Sequence, residues 1–322
     1  MRKRAPAGLS RREFVTTIGT AIVCNPTARH TPKGQESEPY AMILGMAQDG
    51  GLPQIGCYSP RCEDARQDPR YVASLALVHP GLNRFYLVDA TPSITQQVDL
   101  INEPAFRRRA QERQPFDGIF LTHAHMGHYL GLALLGREGL GMGPTPVYCT
   151  LRMREYLTSN GPWSLMVQEQ RLDFADVPVD LWFTVDDWLS VRMIPVPHRP
   201  EFSDTVAFMF RGPRATVLYV PDIDRWESWD HSIQELARNS DAALIDGSFY
   251  SGDEVPGRRI EDIPHPLIPH SMELLQSAVD GGSRVIFTHL NNTNPAHDDG
   301  PARAAIVQRG FEVARQGTRI GI

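Results

Sequence analysis

The sequence predicts a layered α/β domain, and three observations carry that expectation. Short apolar runs rich in β-branched residues alternate with stretches of helical periodicity from Tyr40 onward. Several of these runs follow one another with no helix between them, and none opens into a Gly-rich strand-to-helix turn, which argues against a dinucleotide-binding sheet. Ionisable residues stand where the runs stop, the arrangement by which rigid strands hold a site on their loops.

In chain order, the strand-like runs are AMILGM, ASLALVH, RFYLVDA, GIFLT, VRMIPV, TVAFMF, TVLYV, AALIDG and RVIFTH. PVYCTL has the same apolar strand pattern and makes Cys149 an inert core thiol. Helix-like periodicity covers Ser93–Asn102, Leu151–Thr158, Trp229–Arg238, Ser271–Val279 and Ala302–Ala314. No internal repeat or low-complexity block interrupts the series.

Composition bounds the function. A chain of 322 residues that is 41% hydrophobic and 22% charged has material for a core of normal size. Its formal net charge of -6 gives no general affinity for nucleic acid. No apolar run reaches the roughly 18 residues of a membrane span. The first 39 residues read as a separate segment. A basic start, Arg11-Arg12 followed by Phe14, and a short, weakly apolar stretch resemble a twin-arginine export signal, and the polar chain from Arg29 to Pro39 reads as a linker. Cys24 lies in this segment, after a Val23 too large for a good lipid-anchor motif. The expected organisation is therefore a signal and linker over 1–39 and one domain over 40–322. A periplasmic or secreted location and the export machinery as a partner follow from it.

The densest chemical signal is LTHAHMGHYLGL, which places His123, His125 and His128 within six residues just after a strand. Imidazoles two apart on a loop leaving a strand can face one cation, and His128 opens the next helix. His198, Asp222 and His289 end other strands. Imidazole with carboxylate suits zinc, manganese or iron. A lone histidine is usually a core residue, but this concentration reverses that expectation.

Read in order, LGMAQDGGLPQIGC, THAHMGH, PVPH, LYVPDID, ALIDGSFY and THLNNTNP resemble the metallo-β-lactamase fold. They are most similar to its branch containing coenzyme PQQ biosynthesis proteins B and the cyclic phosphodiesterases of phosphonate breakdown. The resemblance spans about Met42 to Pro295 and implies a four-layer αββα sandwich. It also implies a ligand set. His123, His125 and His198 would hold one ion and His128 and His289 a second, with Asp222 bridging. The family motif His-x-His-x-Asp-His has Gly127 in place of its aspartate here. One tightly bound ion, with a second position weakened by Gly127, is therefore expected. His265 matches a histidine of the PQQ branch and becomes a candidate acid or base, equally readable as a surface-loop residue. Asp246 is expected to support the metal loop without ligating. Asn291, Asn292 and Asn294 are expected to tie up loop backbone.

The implied activity is metal-dependent hydrolysis of a small molecule (an ester, phosphodiester or lactam) by a metal-bound hydroxide. His128, Asp222 and His265 are the candidate catalytic residues. Apart from Arg199, few basic residues flank the motifs, so a strongly anionic substrate is not expected. Two alternatives stand beside it: an iron-dependent oxygenase acting on a quinone precursor, and a non-catalytic metal binder. The phosphodiesterase relatives hold a structural zinc with three cysteines and a histidine. Here Ser59 replaces the middle cysteine and the histidine position falls near Asn292. Cys57 and Cys62 are therefore open to a disulfide, as the oxidising compartment favours, to free thiols, or to zinc.

Overall fold

A computed structural model describes residues 38–255, 257, 259 and 264–322. The expected signal segment lies outside the described residues except for Glu38 and Pro39, as does Cys24.

Two mixed sheets face each other, flanked by helices. The first contains β1 (Tyr40–Gly45), β2 (Ser74–His79), β3 (Arg84–Val88), β4 (Gly118–Phe120), β5 (Thr145–Tyr148) and β6 (Leu172–Phe174). The second contains β7 (Trp182–Asp186), β8 (Leu189–Val196), β9 (Thr205–Arg211), β10 (Thr216–Val220), β11 (Ala242–Asp246), β12 (Arg284–Thr288) and β13 (Glu312–Val313). The last strand, β14 (Arg319–Gly321), crosses back to pair with β1. The sheet orders are β14-β1-β2-β3-β4-β5-β6 and β13-β12-β11-β10-β9-β8-β7.

Both faces of the central strands are covered, which is why they read as unbroken apolar runs and not as alternating ones. Tyr86 and Val88 of β3 enter the core between the sheets, where Phe120 meets Phe208 and Phe210 of the opposite sheet at centroid distances of 5.5 and 5.3 Å. Phe85 and Leu87, one residue out of phase, pack instead with Phe106, Leu132, Leu135 and Leu157 of the outer helices. On the other side, Leu236, Leu275 and Ile306 cover the second sheet.

Strand direction gathers the site. β2 is antiparallel to both β1 and β3, and β3 is parallel to β4, so β1, β3 and β4 all end at one edge. β9 is antiparallel to β8 and β10, and β10, β11 and β12 run parallel, so β8, β10, β11 and β12 also end together.

Some helical expectations are corrected. The helix read over Ala302–Ala314 spans Pro301–Gln308; it stops at Gly310, whose φ of 84° leaves the helical region, and Glu312–Val313 becomes β13. Only Ile233–Arg238 of Trp229–Arg238 is α-helical, capped by Ser232 accepting from the Glu235 N–H. Ser93–Asn102 breaks into Ile94–Gln97 and a single 3₁₀ turn. Edge strand β7 escaped notice because its residues are only half buried and show no alternation.

Candidate metal centre

Each candidate ligand follows the end of a strand. His123 and His125 leave β4, His198 leaves β8, Asp222 leaves β10, and His289 leaves β12. His123 Nε2 lies 2.9 Å from His125 Nδ1, and His198 Nε2 lies 3.1 Å from the same atom. Asp222 sits 3.4 Å from His123 Nε2 through Oδ2 and 3.5 Å from His198 Nε2 through Oδ1. A tetrahedral ion with bonds near 2.1 Å separates its ligands by about 3.4 Å. These four residues fit one.

The second cluster shares Asp222. His128 Nε2 and His289 Nε2 each lie 3.2 Å from Asp222 Oδ2. Both rings are fully buried, yet neither Nε2 has a hydrogen-bond partner among the described residues, nor does Asp222 Oδ1. Orphaned buried polar atoms are rare in folded proteins. A cation between these donors would satisfy them, so the residues fit a metal here too.

The second half also has a carboxylate. Asp49, on the loop after β1, places Oδ1 3.5 Å from His128 Nε2, and the donors of Asp49, His128 and His289 lie within 4.8 Å of one another. A carboxylate therefore stands beside Gly127, where the local motif lacks one, and it comes from another strand end, 78 residues away in sequence. The only advance sign was an acidic residue after an apolar run, in AQDGG.

The far nitrogen of each ring is held by an oxygen, fixing which nitrogen faces the centre. His123 Nδ1 meets Thr122 Oγ1 at 3.0 Å, His125 Nε2 meets Glu201 at 3.0 Å, and His128 Nδ1 meets Asp89 at 2.7 Å. His198 Nδ1 meets Asp224 at 2.8 Å, and His289 Nδ1 meets Ser248 Oγ at 3.0 Å. Asp89, Glu201 and Asp224 were not singled out in the sequence, because a supporting carboxylate has no spacing of its own. Asp89 also accepts the Thr122 N–H and hydroxyl, which locks the start of the histidine loop.

His265 is buried within the site and is not a surface-loop residue. Its Nδ1 lies 2.7 Å from Asp246 and 3.4 Å from Asp222. Asp246 in addition accepts the Ile223 and Ser248 N–H groups, so it props both neighbouring loops. Asn294 donates to the Gly247 and Ser248 carbonyls, and Asn291 pairs with Gln48.

Charge follows this geometry. Burial opposes ionisation of Asp222, but His289 and His198 outweigh it and hold the carboxyl well below its usual range. Burial, then the neighbouring His128, pushes His123 well below its ordinary value. Burial also lowers His125 and His289. His128 goes the other way: burial would lower it, but Asp89 and Asp222 raise it well above. At His265, the Asp246 carboxylate overcomes burial and lifts the ring to about 9.

Cys57 and Cys62 form a disulfide with an S–S distance of 2.07 Å. Cys149 is a buried free thiol, raised by that burial to about 12.

Two sheets between helices, with histidines and a shared aspartate at one edge, define a metallo-β-lactamase-type fold and centre. The chain belongs to the beta-lactamase superfamily, whose domain is matched over residues 84–290. It is similar to coenzyme PQQ synthesis protein B of Azotobacter vinelandii, with 30% identity over 311 residues covering 87% of this chain and 99% of that protein. Among solved structures it resembles Zn(2+)-bound PqqB from Methylobacterium extorquens, with a TM-score of 0.74 and 24% identity, over 88% of this chain and 100% of that one. It also resembles a diphosphatase from the PhnP family, with a TM-score of 0.62 and 19% identity, over 88% and 97%.

Proposed function

We propose that this protein is an exported metal-dependent hydrolase acting on a small molecule. The observation that carries this reading is the pair of donor clusters meeting at Asp222, with buried imidazole nitrogens that no other described residue satisfies. His123, His125, His198 and Asp222 would hold one ion, with zinc the first choice and manganese or iron the alternatives. When bound, such an ion supplies Lewis acidity and acidifies the water it coordinates from a pKa of about 16 toward 7.

The protein's own groups do the rest. Asp224, Glu201 and Thr122 keep the ring nitrogens of the first cluster turned inward. Asp246 holds the Nδ1 proton of His265, which leaves Nε2 of that ring to exchange a proton with a leaving group. Arg199 is half exposed and partly engaged by Glu201 at 3.8 Å, so a strongly anionic substrate finds little compensating charge. A neutral or singly charged ester, phosphodiester or lactam suits the site better. The paired Arg11-Arg12 supports export to the periplasm; a lysine pair at those positions should retain the protein in the cytoplasm.

One specific observation favours a second reading. The similarity to coenzyme PQQ synthesis protein B runs over nearly the whole of that protein, which supports a PQQ-related role; an iron-dependent oxygenation of a quinone precursor is the reaction class we attach to that reading. The two separate on one assay. Chromogenic esters, phosphodiesters and lactams are offered to zinc-, manganese- and iron-loaded protein while oxygen is monitored. Hydrolysis without oxygen uptake is the expected result; oxygen uptake confined to the iron form, with no hydrolysis, would replace it.

A further inference from the structure

Gly127 lies in the short helix Met126–Tyr129 without a left-handed backbone, so turn geometry does not explain the glycine. What explains it is its neighbour. A Cβ on residue 127 would fall 2.1 Å from Asp49 Oδ1 and 2.7 Å from Asp49 Cα, closer than any side chain tolerates. The Gly127 N–H instead donates to that Oδ1 at 3.1 Å. Asp49 occupies the space that a side chain at 127 would need.

The loop carrying Asp49 is tied to the loop carrying His289. The Gln48 N–H donates to the Leu290 carbonyl at 2.9 Å, and the Leu290 N–H returns to the Met46 carbonyl at 2.8 Å. Asn291 pairs with the Gln48 side chain. A turn closed by the Gly51 N–H on the Gln48 carbonyl at 2.7 Å then aims Asp49 inward, with Gly51 at a φ of 69° that suits glycine. The Asp49 side chain is 25% exposed, while His128 and His289 are fully buried with Nε2 atoms that have no hydrogen-bond partner among the described residues.

We propose that Asp49 is a relocated metal ligand. With His128 and His289 it forms a second, three-donor cation site beside Asp222, and Gly127 is the vacancy that admits it. The proposal rests on the metal-centre reading above and adds a stoichiometry of two ions at a site whose local motif supplies no carboxylate. A purely structural role, in which Asp49 only accepts the Gly127 N–H, makes a different prediction for the isosteric amide.

The test is zinc content by elemental analysis after exhaustive dialysis, with cobalt(II) titration followed by its visible spectrum as a second readout and thermal melting as a fold check. The unmodified protein should retain two ions. Asp49→Asn, which keeps an acceptor for the Gly127 N–H but loses the charge, should retain one and weaken the second by at least tenfold. Gly127→Asp alone should gain no ion, because the new side chain collides with Asp49. Joined with Asp49→Gly it should return the count to two. Two equally tight ions in Asp49→Asn, or one ion in the unmodified protein, would overturn the proposal while leaving the first cluster in place. No retained ion in the unmodified protein would instead remove the metal-centre reading itself. If the double variant does not fold, Asp49→Asn decides alone.

Discussion

His198 shows how a single residue is set for its task. Its Nε2 faces His125 and Asp222 because Asp224 holds the opposite nitrogen at 2.8 Å. Removing that carboxylate frees the ring to rotate without removing a ligand. Asp224→Ala should therefore weaken an ion held by the His123, His125, His198 and Asp222 cluster by about 10–100-fold, read by competition with a chromogenic chelator. Unchanged affinity would mean packing alone orients the ring. Three of the seven described non-glycine residues with positive φ stand at the site: Asp89, His265 and His289, with φ of 62°, 120° and 60°, conformations unfavourable for side-chain-bearing residues. At this scale the sequence displayed the histidines and Asp222 openly, since imidazoles at strand ends are conspicuous. Asp49 and Asp89 were not legible, because their role depends on which strand ends meet, and no local spacing encodes that.

Strands and the loops they feed form the next scale. The runs ending in His123, His198, Asp222 and His289 could be read directly, because residues buried on both faces leave uninterrupted apolar stretches. Helix ends were less legible: Gly310 and Ser232 punctuate segments whose periodicity runs on past them. The loop after β12 hides a further determinant. His297 is buried, with Nε2 donating to the Asn291 carbonyl at 3.0 Å, while Nδ1 has no partner among the described residues. Burial, the largest influence, lowers this imidazole to about 4. Its ordinary value is about 6.5, so the unfolded chain takes up a proton at a pH where the folded one refuses it. The stabilisation is then fully present above about pH 6.5, fades as pH falls, and is lost below about pH 4. It amounts to about 3 kcal/mol at most. His297→Asn should reduce the loss of urea stability between pH 7 and 4 relative to the unmodified protein. Parallel pH profiles would show that the ring is not the titrating group.

On the scale of the molecule, the two sheets act as a clamp. Their shared core, centred on Phe120, Phe208 and Phe210, fixes the spacing between the β3–β4 edge and the β8–β12 edge, and the site spans both. Neither sheet holds enough ligands alone: His123, His125 and His128 come from the first, His198, Asp222 and His289 from the second. The layered class was legible from apolar runs, and the four-layer arrangement from the family resemblance. Sheet order and the partner of β14 were not, because pairing between distant strands leaves no periodic trace. No helix among the described residues is long and apolar enough to cross a membrane. The most direct measurement is hydrolysis of the preferred chromogenic substrate by chelator-stripped protein, titrated with zinc and run beside His198→Ala. Negligible turnover without metal, saturable recovery on zinc addition, and little recovery in the variant are the predicted results. Full hydrolysis by the stripped protein, or equal recovery in His198→Ala, would contradict a metal-dependent hydrolase built on this centre.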